Sequence, residues 1–180
     1  MDLPTTDALN ALSDDAFAET LAPLFEGAPQ YLRRLAGARP FDSDDALLAA
    51  AREVAAVAPE AELRQLLDAH PRIGAEPAAM SALSREEQGD EPGDDEPTSD
   101  AGLADELVLL NDVYEARFGF RYVVFVAGRP LAAIAPLIEV ALRNERSAEL
   151  RRGVDDAIYI AGDRLRRLRD EGGPAEEIGR

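Results

Sequence analysis

The chain has 180 residues, no cysteine, one histidine and a formal net charge of −17. The absence of cysteine excludes disulfides, thiolate nucleophiles and cysteine-ligated metals, and a single histidine excludes a multi-histidine metal site within one chain. Because 36 acidic residues stand against 19 basic residues, all of them arginine, the surface should repel phosphate backbones, and we expect no nucleic-acid partner. No apolar run is long enough to span a membrane and no signal-peptide pattern is present, so we expect a cytoplasmic protein without membrane contact.

The first sixty residues predict a succession of helices. A short helix should follow Thr6, and a second should occupy residues 16–25, where a proline limits its length. A third is expected over Pro29–Ala36. Ser43 precedes two aspartates and an alanine-rich run to Val57, which is the pattern of a capped helix with an acidic first turn. We expect most of this region to be helical scaffold.

The only histidine of the chain ends a leucine-rich helix. Leu63, Leu66 and Leu67 have the spacing of one helical face, and His70 continues that face. Pro71 disfavours helical geometry at the residue before it, so the helix should end at or just before His70. The imidazole would then lie half-buried at the rim of the apolar face, where it can titrate near neutral pH. A hydrogen-bonded core histidine and a helix C-cap fit the same pattern, so a catalytic role is one of three interpretations.

A short polar motif follows a predicted loop at residues 74–84. Ser84 and Glu87 have the S-x-x-E spacing of a capping box, in which the serine accepts from the third helical amide and the glutamate reaches back to the serine amide. Capping is therefore the simplest interpretation. Ligand binding is compatible with it, because a helix N-terminus also offers backbone N–H groups to an anion.

Residues 89–102 are expected to form a flexible acidic loop within the domain. Their acidic side chains alternate with Pro92, Gly93 and Pro97, and no basic residue accompanies them. The acidic run at 94–96 lacks the spacing of a calcium loop, so we expect a solvated charge run and no metal site.

A helix is expected over residues 103–118, with Asn111 as a polar residue on its apolar face. Asn111 is either hydrogen-bonded structure or a residue that faces a cavity. Gly119 suits the helix end, and residues 120–126 are then the one β-like run. With no partner strand evident, we expect an extended segment without a sheet, and a short core strand is the alternative. Its buried backbone N–H and C=O groups then need other partners.

Two helices complete the chain. Pro136 should kink or delay a helix over residues 131–145, and the last helix should run over Ser147–Arg169. A Gly-Gly-Pro sequence then ends the structure and leaves a frayed tail at 173–180. Together the elements predict an all-α fold: one domain over residues 1–172, with about eight helices and one extended segment at the active site.

Three motifs in order resemble a known family. They are the leucine-rich helix that ends in His70-Pro71, the S-x-x-E-Q motif at 84–88, and N-x-x-Y-x-x-R-F-G-F at 111–120. This order and spacing resemble the 2-oxo-4-hydroxy-4-carboxy-5-ureidoimidazoline (OHCU) decarboxylase family over residues 25–168. The resemblance implies a homodimeric enzyme of urate breakdown that needs no cofactor or metal. It would decarboxylate OHCU to (S)-allantoin and carbon dioxide.

The resemblance also implies roles for individual residues. His70 would be the general acid/base, Glu87 would hold the ring and ureido N–H groups, and Arg164 would offset the substrate's charge. A phenylalanine-glutamate pair at 25–26 would lie near the site, although a plain loop fits Glu26 equally well. The residues placed around the substrate are His70 and Glu87 as catalytic groups, and Pro71, Ser84, Gln88, Val123, Val124, Phe125 and Arg164 as binding groups.

Three departures from the family pattern leave alternatives open. Gly27 replaces a polar residue, Ala141 replaces an arginine, and the acidic loop at 89–102 replaces a glycine- and alanine-rich stretch. A helical binding module that has lost catalysis, or a decarboxylase of another ureido substrate, therefore stays possible. A catalytic site should bring His70, Glu87 and the backbone of residues 123–125 around one cavity. A serine hydrolase is not expected, because no G-x-S-x-G elbow is present.

Overall fold

The computed structural model describes residues 3–75, 81–87 and 101–171. Within these ranges the chain is all-α, as predicted, with nine α-helices and two short 3-10 helices. The α-helices are α1 Thr6–Asn10, α2 Asp14–Leu21, α3 Pro29–Ala36, α4 Asp44–Val57, α5 Glu60–Ala69, α6 Ala82–Glu87, α7 Ala101–Phe118, α8 Ala135–Ala141 and α9 Arg146–Glu171, and the 3-10 helices are Ala22–Phe25 and Leu131–Ala133. Of the helices in the described ranges, none is both long and apolar enough to cross a membrane.

Serine caps begin the early helices where the sequence predicts them. The Ser43 hydroxyl accepts from the Ala46 amide at 3.1 Å, and α4 follows to Val57. Ser13 caps α2 in the same way, so that helix begins two residues before the predicted position 16. The predicted helix over 16–25 is in fact α2 followed by a 3-10 helix, because the proline in the latter's first turn interrupts the α-helical bonding.

The long helix α9 is the centre of the fold and packs against α4 and α5. Two of its glycines allow this approach. A Cβ at Gly153 would lie 3.2 Å from Leu67 Cδ1, and a Cβ at Gly162 would lie 3.0 Å from Leu48 Cδ1. Leu67 is fully buried, a burial that contributes about 1.5–3 kcal/mol. The absence of side chains at two positions of α9 therefore sets the distance between the central helices.

The structure confirms the predicted end of α5. Leu63, Leu66 and Leu67 are its buried residues, and His70 has the extended backbone (φ −71°, ψ 146°) that the following proline favours. The predicted exposure of the imidazole was wrong, because His70 is only 3 % exposed. Residues distant in sequence cover it, and the helical periodicity carries no information about them.

Asn111 of α7 is hydrogen-bonded structure. Its Nδ2 donates to the carbonyl of Ile73 at 3.0 Å and to that of Leu107 at 2.7 Å. Asn111 does not line the cavity described below, but its bond to Ile73 holds the loop that follows Pro71. The helix itself begins at Ala101, two residues before its predicted start, so residues 101 and 102 are helical and do not belong to the predicted acidic loop.

Residues 121–126 form neither helix nor sheet, in agreement with the prediction of a segment without a strand partner. Pro136 lies in the first turn of α8, so the helix begins late, after a 3-10 turn, as predicted. The remainder of the predicted acidic loop, residues 89–100, and the predicted tail at 173–180 lie outside the described residues.

Candidate functional site

A cavity of about 490 Å³ lies between the end of α5, segment 121–126 and the second half of α9. His70 and residues 123–125 line this one cavity, which are two of the three groups that the sequence analysis expects around a catalytic site; the side chain of the third, Glu87, lies outside the described residues. The lining residues are His70, Pro71, Ile73, Ser84, Tyr122, Val123, Val124, Phe125, Val126, Ala127, Gly128, Ile160, Asp163, Arg164 and Arg167.

The two ring nitrogens of His70 have different environments. Nδ1 lies 2.9 Å from the carbonyl oxygen of Leu66, one turn earlier in α5. Because a carbonyl only accepts, Nδ1 carries the proton and Nε2 has the lone pair. Nε2 is buried and has no hydrogen-bond partner among the described residues. A buried polar atom without a partner at a cavity wall is suited to bind a ligand group.

The imidazole is neutral at neutral pH. Burial, together with the charges of Arg164 and Arg121, lowers the pKa of His70 to about 4. The bond to the Leu66 carbonyl and the charge of Glu26 act in the opposite direction and do not reverse the shift. His70 can therefore accept a proton from a bound molecule at Nε2 across the physiological pH range.

A buried ion pair lies at the same cavity. Arg164, only 1 % exposed, places Nη2 2.8 Å from Glu26 Oε1 and 3.0 Å from the Ser84 hydroxyl. Its Nη1 donates to the carbonyl of Pro23 at 3.0 Å. Burial alone would raise the pKa of Glu26, but the Ser84 hydrogen bond and the Arg164 charge lower it overall. The carboxylate therefore stays ionised and fixes the guanidinium in place.

The capping-box prediction was wrong. Ser81 caps α6, because the Ser84 amide donates to the Ser81 hydroxyl at 3.1 Å. Ser84 lies inside the helix, where its hydroxyl donates to Glu26 Oε1 at 2.6 Å. A serine lies three residues before Ser84 just as a glutamate lies three after it, so the spacing alone could not decide which serine is the cap. Glu87 ends α6, but its side chain and the whole of Gln88 lie outside the described residues, so their roles stay predictions.

Several residues at the site were not among the predicted site residues. Asp163 and Arg167 line the cavity and form an ion pair one turn apart on α9. They share the helical face of Arg164, so the spacing around that arginine was a usable signal. Arg121 donates to the carbonyl of His70. Glu26, which the sequence placed near the site only by resemblance, is the buried partner of Arg164.

The departures from the family pattern have separate structural outcomes. Ala141 is buried in α8 and is not among the residues that line the cavity. Gly27 has φ +101°, a left-handed conformation that favours glycine, and it follows Glu26, which is also left-handed at φ 51°. This pair of left-handed residues turns the chain so that the Glu26 carboxylate reaches the buried arginine.

Comparisons with known proteins agree on one family. A family model described as OHCU decarboxylase matches residues 10–166. A 2-oxo-4-hydroxy-4-carboxy-5-ureidoimidazoline decarboxylase of Haloferax volcanii is 32 % identical over 161 residues, which cover 89 % of this chain and 94 % of that protein. A uric acid degradation bifunctional protein of a Bacillus species is 30 % identical over 164 residues, which cover 91 % of this chain and 32 % of that protein.

Solved structures share the fold. A crystal structure of OHCU decarboxylase in the presence of (S)-allantoin has a TM-score of 0.64 with 17 % identity, and the match covers 86 % of this chain and 97 % of that chain. A crystal structure of (S)-allantoin synthase has a TM-score of 0.65 with 15 % identity, and the match covers 92 % and 54 %. At these identities the structural match supports the all-α architecture and nothing finer.

Proposed function

The chain belongs to the OHCU decarboxylase family, and we propose on that premise that it converts OHCU to (S)-allantoin and carbon dioxide in urate breakdown. The observation that carries the proposal is the buried, neutral His70, whose Nε2 has no partner among the described residues at the wall of the cavity.

The reaction needs few groups from the protein. When the bond between C4 and the carboxylate breaks, its electron pair can move into the neighbouring C=N bond of the imidazoline ring. The nitrogen of that C=N bond and C5 then each gain a proton, and the 4-hydroxyl loses its proton to become a carbonyl, so one proton is taken up overall. Because the substrate itself accepts the electron pair, the protein must only orient the carboxylate, stabilise the developing charge and control these proton transfers. We therefore propose a reaction without a cofactor.

His70 is the proposed acid/base. Its fixed tautomer leaves Nε2 as the acceptor, which suits removal of the 4-hydroxyl proton as the carboxylate departs. The imidazolium formed in that step is a donor next to the new allantoin, within a cavity that shields it from bulk solvent. The Glu26 carboxylate, which is paired with the cavity residue Arg164, stabilises the imidazolium, in line with its effect on the pKa of His70.

Arg164 supplies the proposed positive charge for the substrate's carboxylate. A guanidinium bound to that carboxylate alone would stabilise the starting state and oppose decarboxylation, since catalysis requires stronger binding of the transition state. Glu26, 2.8 Å from the guanidinium, limits this effect by balancing its charge. Ser84 and Pro71 complete the proposed binding wall, and Glu87 and Gln88 are kept from the family resemblance as partners of the ring and ureido N–H groups.

The alternative without catalysis has less support. In a simple binding module His70 would line no cavity, and both of its ring nitrogens would have protein partners. Here His70 lines the cavity and one nitrogen is without a partner among the described residues. No observation favours the module over the enzyme.

The test generates OHCU in place from urate with urate oxidase and a hydroxyisourate hydrolase. Circular dichroism then follows the optical activity of the allantoin that forms, with and without this protein, at low and molar salt. We expect faster formation of the single (S) enantiomer. Racemic allantoin at the uncatalysed rate, from demonstrably folded protein under both conditions, would refute the proposed function and leave the reaction of another ureido substrate as the next candidate.

We further propose a homodimer that acts in the cytoplasm. The family resemblance suggests the dimer, and α7 exposes apolar side chains that a second copy can cover, with Leu109 63 % and Val113 45 % exposed. If α7 pairs antiparallel with its copy, centred at the level of residue 111, Leu109 faces Val113 and Asp105 faces Arg117 of the copy. Both apolar and charged positions are then complementary, as a two-fold interface requires.

Light scattering tests this interface. Leu109→Glu should convert a dimer to a monomer, whereas Val57→Glu, at a site that is 77 % exposed on α4, should leave it unchanged. A wild-type monomer, or a Leu109→Glu dimer, would contradict the proposed interface. The cytoplasmic location rests on the sequence expectation and is testable by cell fractionation.

A further inference from the structure

Side chains of α9 bind the backbone of segment 121–126, which has no strand partner. Arg152 Nη1 donates to the carbonyl of Val123 at 2.9 Å. Asp156, one turn further along, faces the amide of Phe125, which acts against the rise in the pKa of this carboxyl that burial causes. Arg152 and Asp156 also bind each other at 2.5 Å, so the two contacts form one unit. Two positions of the segment are thus held by a single arginine-aspartate pair.

The rest of the held backbone follows the same pattern. The amide of Arg121 donates to Asp68 Oδ1 at 2.9 Å. The guanidinium of Arg129 donates to the carbonyl of Phe125 at 2.5 Å and, at the turn that ends the segment, to that of Val126 at 2.9 Å. Apart from this turn, every group held belongs to residue 121, 123 or 125. In an extended chain the N–H and C=O of alternate residues point to the same edge. The side chains of the protein therefore bind one edge of segment 121–126.

The opposite edge has no hydrogen-bond partner in the part of the chain that the structure describes. Among the described residues, none hydrogen-bonds to the backbone N–H or C=O of Tyr122 or Val124. Both residues line the cavity and are buried, at 2 % and 8 % exposed. An unpaired buried amide or carbonyl costs about 1–3 kcal/mol unless a ligand or water binds it. An edge of this kind fits a cyclic ureide, which presents N–H and C=O groups side by side.

We propose that Arg152 and Asp156 are positioning residues that hold the Val123 carbonyl and the Phe125 amide so that the backbone N–H and C=O of Val124 face the substrate. The proposal deepens the proposed function and rests on it. The sequence analysis predicted that residues 123–125 bind the substrate. The proposal assigns this binding to Val124, since the Val123 carbonyl and the Phe125 amide already face protein side chains.

Buried neighbours fix Arg152 before any ligand binds. Glu149 is 0 % exposed and lies 2.6 Å from Arg152 Nη2. Glu149 also accepts from the Tyr114 hydroxyl and from Asn144 Nδ2, each at 2.7 Å. The guanidinium lies 4.8 Å from the ring centre of Tyr122. A group fixed in this way orients the segment without a further entropic cost on binding.

The test uses variants with matched neighbours on the same helix. Asp156→Asn and Arg152→Gln remove the pair, and the exposed Asp155→Asn and Arg151→Gln are the controls. We expect kcat/KM for OHCU to fall about 10²-fold in the first two variants, the size of effect seen when a reacting group is displaced by about 1 Å, and to be unchanged in the controls. Far-ultraviolet circular dichroism should be the same for all four proteins.

A second measurement separates positioning from general stability. Amide hydrogen exchange resolved by NMR should show that (S)-allantoin, at concentrations that inhibit turnover, protects the Val124 amide in the wild type but not in Asp156→Asn. Arg152→Lys, which keeps one donor for Val123, should recover part of the activity lost in Arg152→Gln. If Arg152→Gln fails to fold, Asp156→Asn decides, because it preserves the shape of the side chain.

The two possible failures are distinguishable. A folded wild type without decarboxylase activity overturns the proposed function. An active wild type whose Asp156→Asn variant matches Asp155→Asn in kcat/KM overturns only the positioning role. The same conclusion would follow if (S)-allantoin, at inhibitory concentrations, did not protect the Val124 amide from hydrogen exchange.

Discussion

Helix α9 carries two buried arginine-glutamate pairs that differ in how they are built. Glu149 and Arg152 are three residues apart on the helix itself, and the tyrosine of α7 and Asn144 complete the bonding of the carboxylate. Arg164 instead pairs with Glu26 from a left-handed turn near the start of the chain, and this pair borders the cavity. One pair is local to a single helix, whereas the other joins distant parts of the chain, and its arginine lines the cavity.

The difference shows what each pair contributes. In both pairs burial raises the pKa of the glutamate, but hydrogen bonds and the arginine charge lower it overall, so both carboxylates stay ionised. A buried charge is costly unless its partners are complete. The Glu149 pair has them within the protein and fixes a segment of backbone. The Glu26 pair lies where a charged ligand can join it.

The largest expected effect comes from the histidine beside the cavity pair. His70→Ala should reduce kcat about 10²–10⁴-fold, the usual contribution of a general acid/base. Neither arginine pair loses a bonding partner in this variant, so far-ultraviolet circular dichroism should be unchanged. Single-turnover kinetics on OHCU generated in place provides the measurement. Retained activity would remove His70 from the mechanism.

Breaking the local pair should affect stability most. Glu149→Ala leaves Arg152 and Tyr114 without their buried acceptor, and we expect the free energy of unfolding to fall by about 3–5 kcal/mol. Urea denaturation measures the change, and the exposed Glu145→Ala is the control. Equal midpoints for the two variants would mean that the network around Glu149 adds nothing to the stability of the fold.

Neutralising the cavity pair should separate activity from stability. In Glu26→Gln the amide oxygen can still accept from Ser84 and Arg164, so we expect an unfolding free energy lower by about 1–3 kcal/mol. The unbalanced guanidinium should bind the substrate's carboxylate more tightly, and both KM and kcat should fall. Steady-state kinetics, with KM and kcat measured separately, would show both decreases. A higher KM with an unchanged kcat would contradict the charge-balancing role.

A further expected effect concerns the pH dependence of stability. The pKa of His70 lies at about 4 in the folded protein against an ordinary value of 6.5, so the unfolded chain takes up the proton first. This contribution to stability is complete above pH 6.5 and is lost as the pH falls toward 4. Thermal unfolding of wild type and His70→Gln across that window should show a shallower decline for the variant. The kcat/KM of the wild type should lack a pKa near 6.5.

Local chemistry allowed much of the fold to be predicted. The Ser43 cap, the proline-terminated end of α5 and the delayed start of α8 each depend on residues within one or two turns. The pair of Arg164 and Glu26 does not depend on such local residues. Ser84 and Glu26 are 58 residues apart, and Ser84 and Arg164 are 80 apart. The local S-x-x-E spacing predicted a cap at Ser84, whereas its hydroxyl binds Glu26, a partner that is adjacent only in the folded chain.

The two glycines of α9 have a consequence for the cavity itself. Gly153 follows Arg152 directly, and Gly162 precedes Asp163 and Arg164 directly. The close contacts of α9 with α5 and α4 therefore lie next to the arginine of each pair. These contacts therefore help to fix the positions of the two guanidinium groups relative to His70. A single methyl group would lie 3.2 Å from Leu67 at Gly153 or 3.0 Å from Leu48 at Gly162, so a leucine beside the arginine pairs would have to move by a few tenths of an ångström, although no residue that lines the site is altered.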